Sequence, residues 1–147
     1  MQIRALAPSD LDAVLAIQSS CPEAAQWSRA DYERVCAAAE SSTRAWVAIS
    51  DAQLAGFILI RRAADEIEIL NLAVAPGARR TGIASSLLHA ALEPARNAGV
   101  RRAFLEVRES NAGAIAFYLH HGFTRTGRRP NYYSAPAEAA LILSREI

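Results

Sequence analysis

Six consecutive residues, Arg79-Arg80-Thr81-Gly82-Ile83-Ala84, carry the clearest chemistry in the chain. They follow an apolar, strand-like run, "LNLAVAP", and open a helix-like one, "GIASSLLHAAL". The first turn of a helix offers backbone N–H groups with no internal partner, together with a partial positive charge. A phosphate placed there is held by backbone donors. Gly82 has no Cβ and lets the backbone come close to such a ligand, and Ala84 keeps the next position small. Arg79 and Arg80 add charge that pairs with phosphate oxygens. The junction therefore reads as a seat for a pyrophosphate. An ordinary strand-to-helix turn with two solvated arginines has the same composition, so the segment alone leaves both readings open. Two other phosphate motifs are excluded. Thr81-Gly82-Ile83 lacks the Gly-Lys-Ser/Thr of a P-loop, and one glycine does not make G-x-G-x-x-G.

Other chemistries find little support. His89, His120 and His121 lack H-E-x-x-H spacing and any nearby Cys or Asp set, so no metal site is expected and surface helix positions are the default. Cys21 and Cys36 form no metal or redox motif. Ser85-Ser86 lies in a helical pattern rather than in G-x-S-x-G, which argues against a serine hydrolase.

The elements that must position the junction follow from periodicity. "QIRAL" reads as a strand, and "PSDLDAVLAIQSS" as a helix capped by Ser9 with Leu11, Val14 and Leu15 on one face. "SRADYERVCAAAE" is a second helix, capped by Ser28, with Tyr32, Val35 and Cys36 inward. "TRAWVAIS", "LAGFILIRR" and "EIEILNLAV" are strands joined by short turns, hence antiparallel neighbours. "GIASSLLHAALEPARNAG" is a helix with Ile83, Leu87, Leu88 and Ala91 inward, kinked or shortened at Pro94 and stopped by Gly99. "RRAFLEV" is a strand, "NAGAIAFYLHHG" a helix ended by Gly122, and "AEAALILSRE" the last strand, with room for an extra strand around 123–126. The order β-α-α-β-β-β-α-β-α-β(-β) predicts an α/β fold, a mixed, mainly antiparallel sheet covered by helices.

At 147 residues this is one domain, 1–147, without repeats or linkers. Apolar residues make up 52% and charged residues 21%, enough for a core and too balanced for disorder. The net charge of +1 gives no reason to expect nucleic acid or a membrane surface as partner. No apolar run approaches the roughly 20 residues of a membrane helix, and "MQIRALAPSD" has no signal-peptide pattern. A reducing, cytoplasmic setting is expected.

The run 79–84 resembles the R/Q-x-x-G-x-G/A signature of the GNAT family of N-acetyltransferases. Asn111, Ala114, Tyr118, Gly122 and Phe123, in "NAGAIAFYLHHGF", match a second family block, N-x-x-A-x-x-x-Y-x-x-x-G-F. The element order agrees, and the likeness is strongest from Ile69 to Phe123. Within the family the chain is most similar to bacterial enzymes that acetylate the N-terminal amine of a ribosomal protein, through "LEVRESN", "NYY" and Trp27-Ser28. It departs from them at Ala25-Gln26, where an aromatic-proline pair is frequent, and at Glu138-Ala139, where Asp-Ala is frequent.

The resemblance implies acetyl-CoA as acetyl donor. It puts the pyrophosphate on Arg79, Arg80, Thr81, Gly82, Ile83 and Ala84, and the pantetheine arm along the backbone of Leu72, Ala73 and Val74 where two strands splay apart. Acetyl transfer needs a base for the amine, a donor for the oxyanion and an acid for the leaving thiolate. Glu106, in the mostly apolar "AFLEVRES", is the implied base, partial burial making it a better one; a carboxylate merely paired with Arg108 is the alternative. Tyr118 is the implied acid, against a plain core aromatic beside Phe117. Asn111 is both a good N-cap and a neighbour of the pantetheine. Glu66 and Glu68 border the acceptor site as charge partners or alternative bases. Trp27, Tyr32, Asn131, Tyr132 and Tyr133, the last three in a loop, flank the acceptor's way in. The expected partner is a protein or peptide N-terminus. A small amine as acceptor, or a non-catalytic acyl-CoA sensor, stands as the alternative; Glu106 and Tyr118 together argue against a sensor.

Overall fold

Six successive residues of one strand, Ala55 to Ile60, are buried, which marks a strand covered on both faces. In the computed structural model, which describes residues 1–37 and 42–147, this is β3 (Gln53–Ala63), inside a seven-stranded sheet. The other strands are β1 (Gln2–Ala5), β2 (Thr43–Ser50), β4 (Glu66–Val74), β5 (Arg102–Arg108), β6 (Thr124–Tyr133) and β7 (Glu138–Glu146). The spatial order is β1-β2-β3-β4-β5-β7-β6. Among the described residues only β4 and β5 are parallel neighbours. The helices are α1 (Leu11–Ser20), α2 (Arg29–Ala37), α3 (Ile83–Asn97) and α4 (Ala112–His120). The expected α/β fold and element order are found, and the three consecutive strands β2, β3 and β4 are antiparallel as read.

Period-two alternation along β3 divides the core into two layers. Ile58 and Ile60 pack with Ile67, Leu87, Leu88, Leu105, Tyr118 and Phe123 on the side of α3 and α4. Phe57 and Leu59 pack with Leu11, Val14, Tyr32 and Val47 on the side of α1 and α2. At Gly56 the side chains of α3 press directly on the sheet. A Cβ there would stand 3.0 Å from the Ala73 carbonyl and 3.2 Å from side-chain carbons of Ile83 and Leu87.

Three local expectations need correction, and a fourth lies partly outside the described residues. The first helical turn is not capped by Ser9. Pro8–Asp10 form a 3-10 turn, and Asp10 accepts from the Ala7 N–H while gripping Arg4 at 2.7 and 2.8 Å. Helix α3 runs through Pro94 to Asn97; the proline is exposed and in the last turn, so the hydrogen bond it forfeits faces water. Asn131, Tyr132 and Tyr133 lie in β6 rather than in a loop. This strand, longer than the 123–126 expected, tolerates Pro130 because it is an edge strand, with register shifts at 125/127 and 129/133. The reading of α2 as far as Glu40 extends into 38–40, which lie outside the described residues; its Ser28 cap is present, with Ser28 Oγ accepting from Asp31 N–H at 3.1 Å.

Gly56→Ala should cost about 1–3 kcal/mol, the usual range for overpacking, since a backbone carbonyl is the nearest atom and cannot swing aside. Urea denaturation of the two proteins measures this directly.

Candidate active site

Strands β4 and β5 pair over three residues only: Glu66 with Arg102, Ile67 with Ala103 and Glu68 with Phe104. Just beyond, Leu70 is bulged, because Leu59 pairs with Asn71 while Ile60 pairs with Ile69. A bulge bends and twists its strand. From there β4 keeps β3 on one side, and β5 keeps β7 on the other. A cleft of about 910 Å³ opens between them.

The bulge also decides which groups face that cleft. Ala75 N–H donates to Ala55 on β3 at 2.7 Å. Alternation in an antiparallel ladder then puts Ala73 on the β3 side and turns Leu72 and Val74 toward the gap. The Val74 carbonyl, free of β3, accepts the Cys21 thiol at 3.6 Å. Leu72, Ala73 and Val74 all line the cleft, and the N–H groups of Leu72 and Val74 are the donors that β4 turns toward it.

One end of the cleft is the start of α3. Gly82 precedes the helix in the left-handed region, φ +82°, and no side chain caps the turn. The first helical bond is Ser86 N–H to Gly82 C=O, so the N–H groups of Ile83, Ala84 and Ser85 have no helical acceptor. A Cβ built on Gly82 would meet nothing within 4 Å, so the space above the turn is open. Arg79, Arg80, Ala84 and the backbone of Ile83 line the cleft here, while the Ile83 side chain is buried in the core. Thr81 lies just outside; its hydroxyl holds the turn by donating to the Ala78 carbonyl at 2.5 Å. Arg79 rests on Cys21 Sγ at 3.2 Å and Glu23 at 3.5 Å. Uncapped donors, two guanidinium groups and open space form a set that suits a diphosphate.

At the other end stand Glu106 and Tyr118. The Glu106 side chain is 15% exposed; Oε1 is 3.4 Å from Arg129 Nε, and Oε2 is buried with no hydrogen-bond partner among the described residues. Arg108 does not pair with it. It is held by Glu138 at 3.3 Å and by the carbonyls of Ser134 and Pro136, and it lies over the Tyr133 ring at 4.4 Å. Tyr118 packs edge-on against Phe117 and Phe123. Burial pushes its phenol far above the ordinary value, so at neutral pH it keeps its proton and has one to donate. Asn111 caps α4, accepting from Ala114 N–H at 3.1 Å, and lines the same cleft.

A family model described as Acetyltransferase (GNAT) family matches residues 11–123. The chain belongs to the GNAT family. It is 36% identical over 94 residues to the ribosomal protein bS18-alanine N-acetyltransferase of Escherichia coli K12, covering 63% of this chain and 64% of that protein. A protein of the same name from Salmonella typhimurium is 36% identical over 97 residues, 65% of this chain and 66% of its own length. The matched stretch thus spans under two thirds of either relative. Among solved structures, the Escherichia coli ribosomal-protein-S18-alanine N-acetyltransferase superposes with a TM-score of 0.84 at 29% identity, over 99% of this chain and 93% of that one. Ard1 from Thermoplasma volcanium superposes with a TM-score of 0.88 at 30% identity, over 99% and 97%.

The GNAT cleft gathers most of the expected residues but not all. Tyr133 lines it. Tyr132, half exposed, sits at the rim on β6, and its contact with the Glu106 carboxylate raises its phenol while leaving Oε2 without a partner. Asn131 is exposed beside it. Trp27 and Tyr32 are not cleft residues. Tyr32 is fully buried, donating to Gln18 Oε1 at 2.6 Å, and Trp27 packs near it. Tyr32 sits on the inward face of α2, which corrects its direct substrate contact; Trp27 precedes the helix and is half-buried. Glu66 and Glu68 stand where β4 and β5 still pair, bound to Arg102 at 2.9 Å and Arg61 at 2.5 Å, and neither lines the cleft. Two residues not expected are Gln18 and Asn71, both buried. Asn71 Nδ2 donates to the Ala25 carbonyl at 2.9 Å and reaches Gln18 and Tyr32 at 3.3 Å; Gln18 Nε2 donates to the Trp27 carbonyl at 2.7 Å. Together they fasten the segment between α1 and α2, whose residues 21–26 form a cleft wall. A lone amide inside the apolar "EIEILNLAV" was the available signal.

Asparagine tolerates left-handed backbone, so Gly82→Asn should keep stability within about 1 kcal/mol yet weaken coenzyme A binding by about tenfold or more. Its side chain would occupy the space above the turn. Gly82→Val should lose binding and stability together. Titration calorimetry with coenzyme A and thermal melts separate the two effects.

Proposed function

We propose that this chain is an acetyl-CoA-dependent N-acetyltransferase whose acceptor is the α-amine of a protein N-terminus. The observation that carries the reading is one cleft running from the uncapped α3 turn at Gly82, through the unpaired edges of β4 and β5, to a buried, partner-free Glu106 Oε2 and a proton-bearing Tyr118. Acetyl-CoA enters as substrate, its diphosphate on the α3 turn and its pantetheine amides beside Leu72, Val74 and Asn111. Glu106 takes a proton from the incoming ammonium. The freed nitrogen forms a bond to the acetyl carbonyl carbon. The Leu72 or Val74 N–H meets the charge that develops on the carbonyl oxygen. As the carbon–sulfur bond breaks, the Tyr118 hydroxyl gives its proton to the departing sulfur, the nitrogen's second proton, lost as the amide forms, restores the phenol, and Glu106 returns its proton to solvent.

The acceptor reading rests on the walls. Tyr132, Tyr133 and segment 21–26 offer aromatic faces and backbone groups, which suit an extended peptide. Glu66 and Glu68 are engaged by arginines, which leaves little to hold the second charge of a polyamine. The similarity to the bS18-alanine enzymes supports a small first residue such as alanine, a ribosomal protein as acceptor and a cytoplasmic setting. Among the described residues no helix is long and apolar enough to cross a membrane.

Mass spectrometry after incubation with acetyl-CoA and a mixed panel tests this. An alanine-first peptide should be acetylated at its α-amine faster than spermidine or an aminoglycoside, and with the pH dependence of an α-amine rather than a lysine. Faster acetylation of the small amines would move the protein to that class, and coenzyme binding without transfer to anything would make it a sensor. Glu106→Gln and Tyr118→Phe should each lower turnover roughly 10²- to 10⁴-fold with coenzyme affinity nearly unchanged. The Glu106→Gln rate should recover in part at high pH, where free amine forms unaided.

A further inference from the structure

Ser85, the third residue of α3, lines the coenzyme cleft beside Gly82 and Ala84 and also the mouth of a second, small cavity of about 80 Å³. Its hydroxyl oxygen is 2.9 Å from His121 Nε2. The other ring nitrogen, Nδ1, is 2.9 Å from the Phe117 carbonyl. A carbonyl can only accept, so Nδ1 carries a proton. In the neutral ring Nε2 is then an acceptor, and the Ser85 hydroxyl must donate to it. The hydrogen of Ser85 is committed to His121, so a ligand at this end of the cleft finds only lone pairs on the hydroxyl. Facing a diphosphate, that is the wrong polarity.

A proton on His121 reverses it. Nε2–H then donates to Ser85 Oγ, and the serine hydrogen is released to point at a phosphate oxygen. The surroundings set when this happens. The small cavity that His121 lines is also lined by Arg145 from β7, by Ile147 and by Arg96, His89 and Glu93 from α3, and His120 lies next in the chain with its ring 5.3 Å away. Phe117 stacks against it with ring centres 4.4 Å apart. Glu93 is engaged with His89 at 2.9 Å. The negative charge that would favour the imidazolium is the one arriving at the α3 turn.

We propose that Ser85 and His121 belong to the coenzyme diphosphate site, and that bound diphosphate draws a proton onto His121, making Ser85 a donor. The proposal rests on the acetyl-CoA reading above. Binding therefore takes up a proton wherever His121 is neutral in the free protein and protonated in the complex. By linkage the affinity is greatest at low pH and declines as pH rises through the titration of the bound form.

Calorimetric titration of the whole protein with 3′-dephospho-acetyl-CoA, which lacks the ligand's own phosphate monoester, in buffers of different ionisation enthalpy reads the proton directly. Near pH 7.5 a fractional proton should be taken up, and affinity should be about tenfold higher at pH 6 than at pH 9, the size of one charge-assisted hydrogen bond. His121→Gln should bind with no uptake and a flat pH profile. Ser85→Ala should lose most of the gain at low pH. Should His121→Gln not fold, the ring titration of His121 followed by NMR in the wild-type protein should move to higher pH on adding the ligand. Binding without proton uptake, or equal uptake in His121→Gln, overturns the proposal and leaves the coenzyme reading intact. No binding to folded wild-type protein at any pH overturns both.

Discussion

Beyond Glu68 and Phe104, two neighbouring strands stop sharing hydrogen bonds, and the chemistry of this molecule is arranged around that gap. Unpaired backbone N–H and C=O groups inside a protein cost free energy unless something answers them. Here β4 keeps one edge satisfied by β3, and β5 keeps one satisfied by β7. The facing edges are left as donors and acceptors for an extended, amide-bearing ligand. The bulge at Leu70 is the local cause. It ends the run in which β4 and β5 lie side by side, and it changes the face on which later side chains emerge. Ile67 and Ile69 pack under α3, whereas Ala73 packs under α1.

Everything else either holds that gap open or furnishes it. Gly56 lets α3 lie close enough to the sheet for its first turn to face the cleft mouth. Asn111 caps α4 and so fixes the helix that carries Tyr118. Glu138 accepts from Ser110 N–H and binds Arg108, and those Ser110 hydrogen bonds hold its carboxyl below the usual range. That arrangement occupies Arg108 and leaves Glu106 to Arg129 and Tyr132. On the opposite face, Gln18, Tyr32 and Asn71 form a buried polar cluster. Desolvation pushes the Tyr32 phenol up to about 12, so it stays a hydrogen-bond donor, and the cluster fastens the 21–26 wall.

Much of this was legible in the residues. The strand and helix order follows from apolar periodicity, and the α3 turn from Gly82 placed between a buried strand and an amphipathic helix. Glu106, Tyr118 and Asn111 stand in the cleft where the family pattern put them. What was not legible has physical reasons. A splay is a relation between two strands distant in sequence, and no local pattern in "EIEILNLAV" encodes where pairing stops. The family resemblance puts Tyr32 beside the acceptor's way in, yet helical phase decides which face of α2 is buried, and Tyr32 lies on it. Glu66 and Glu68 were offered as charge partners, and only the register against Arg61 and Arg102 shows that their charges are already engaged. The β6 strand hid behind Pro130 and Asn131, residues that read as a loop until an edge strand with register shifts accommodates them.

The central claim is that the gap between β4 and β5 receives the ligand's extended arm through backbone groups. Amide hydrogen exchange resolved to single residues, with and without acetyl-CoA, tests it most directly. The account predicts new protection at Leu72 and Val74 and at Ile83, Ala84 and Ser85, with the β5–β7 ladder unchanged. Protection confined to other surfaces, with Leu72 and Val74 exchanging as in the free protein, would contradict it.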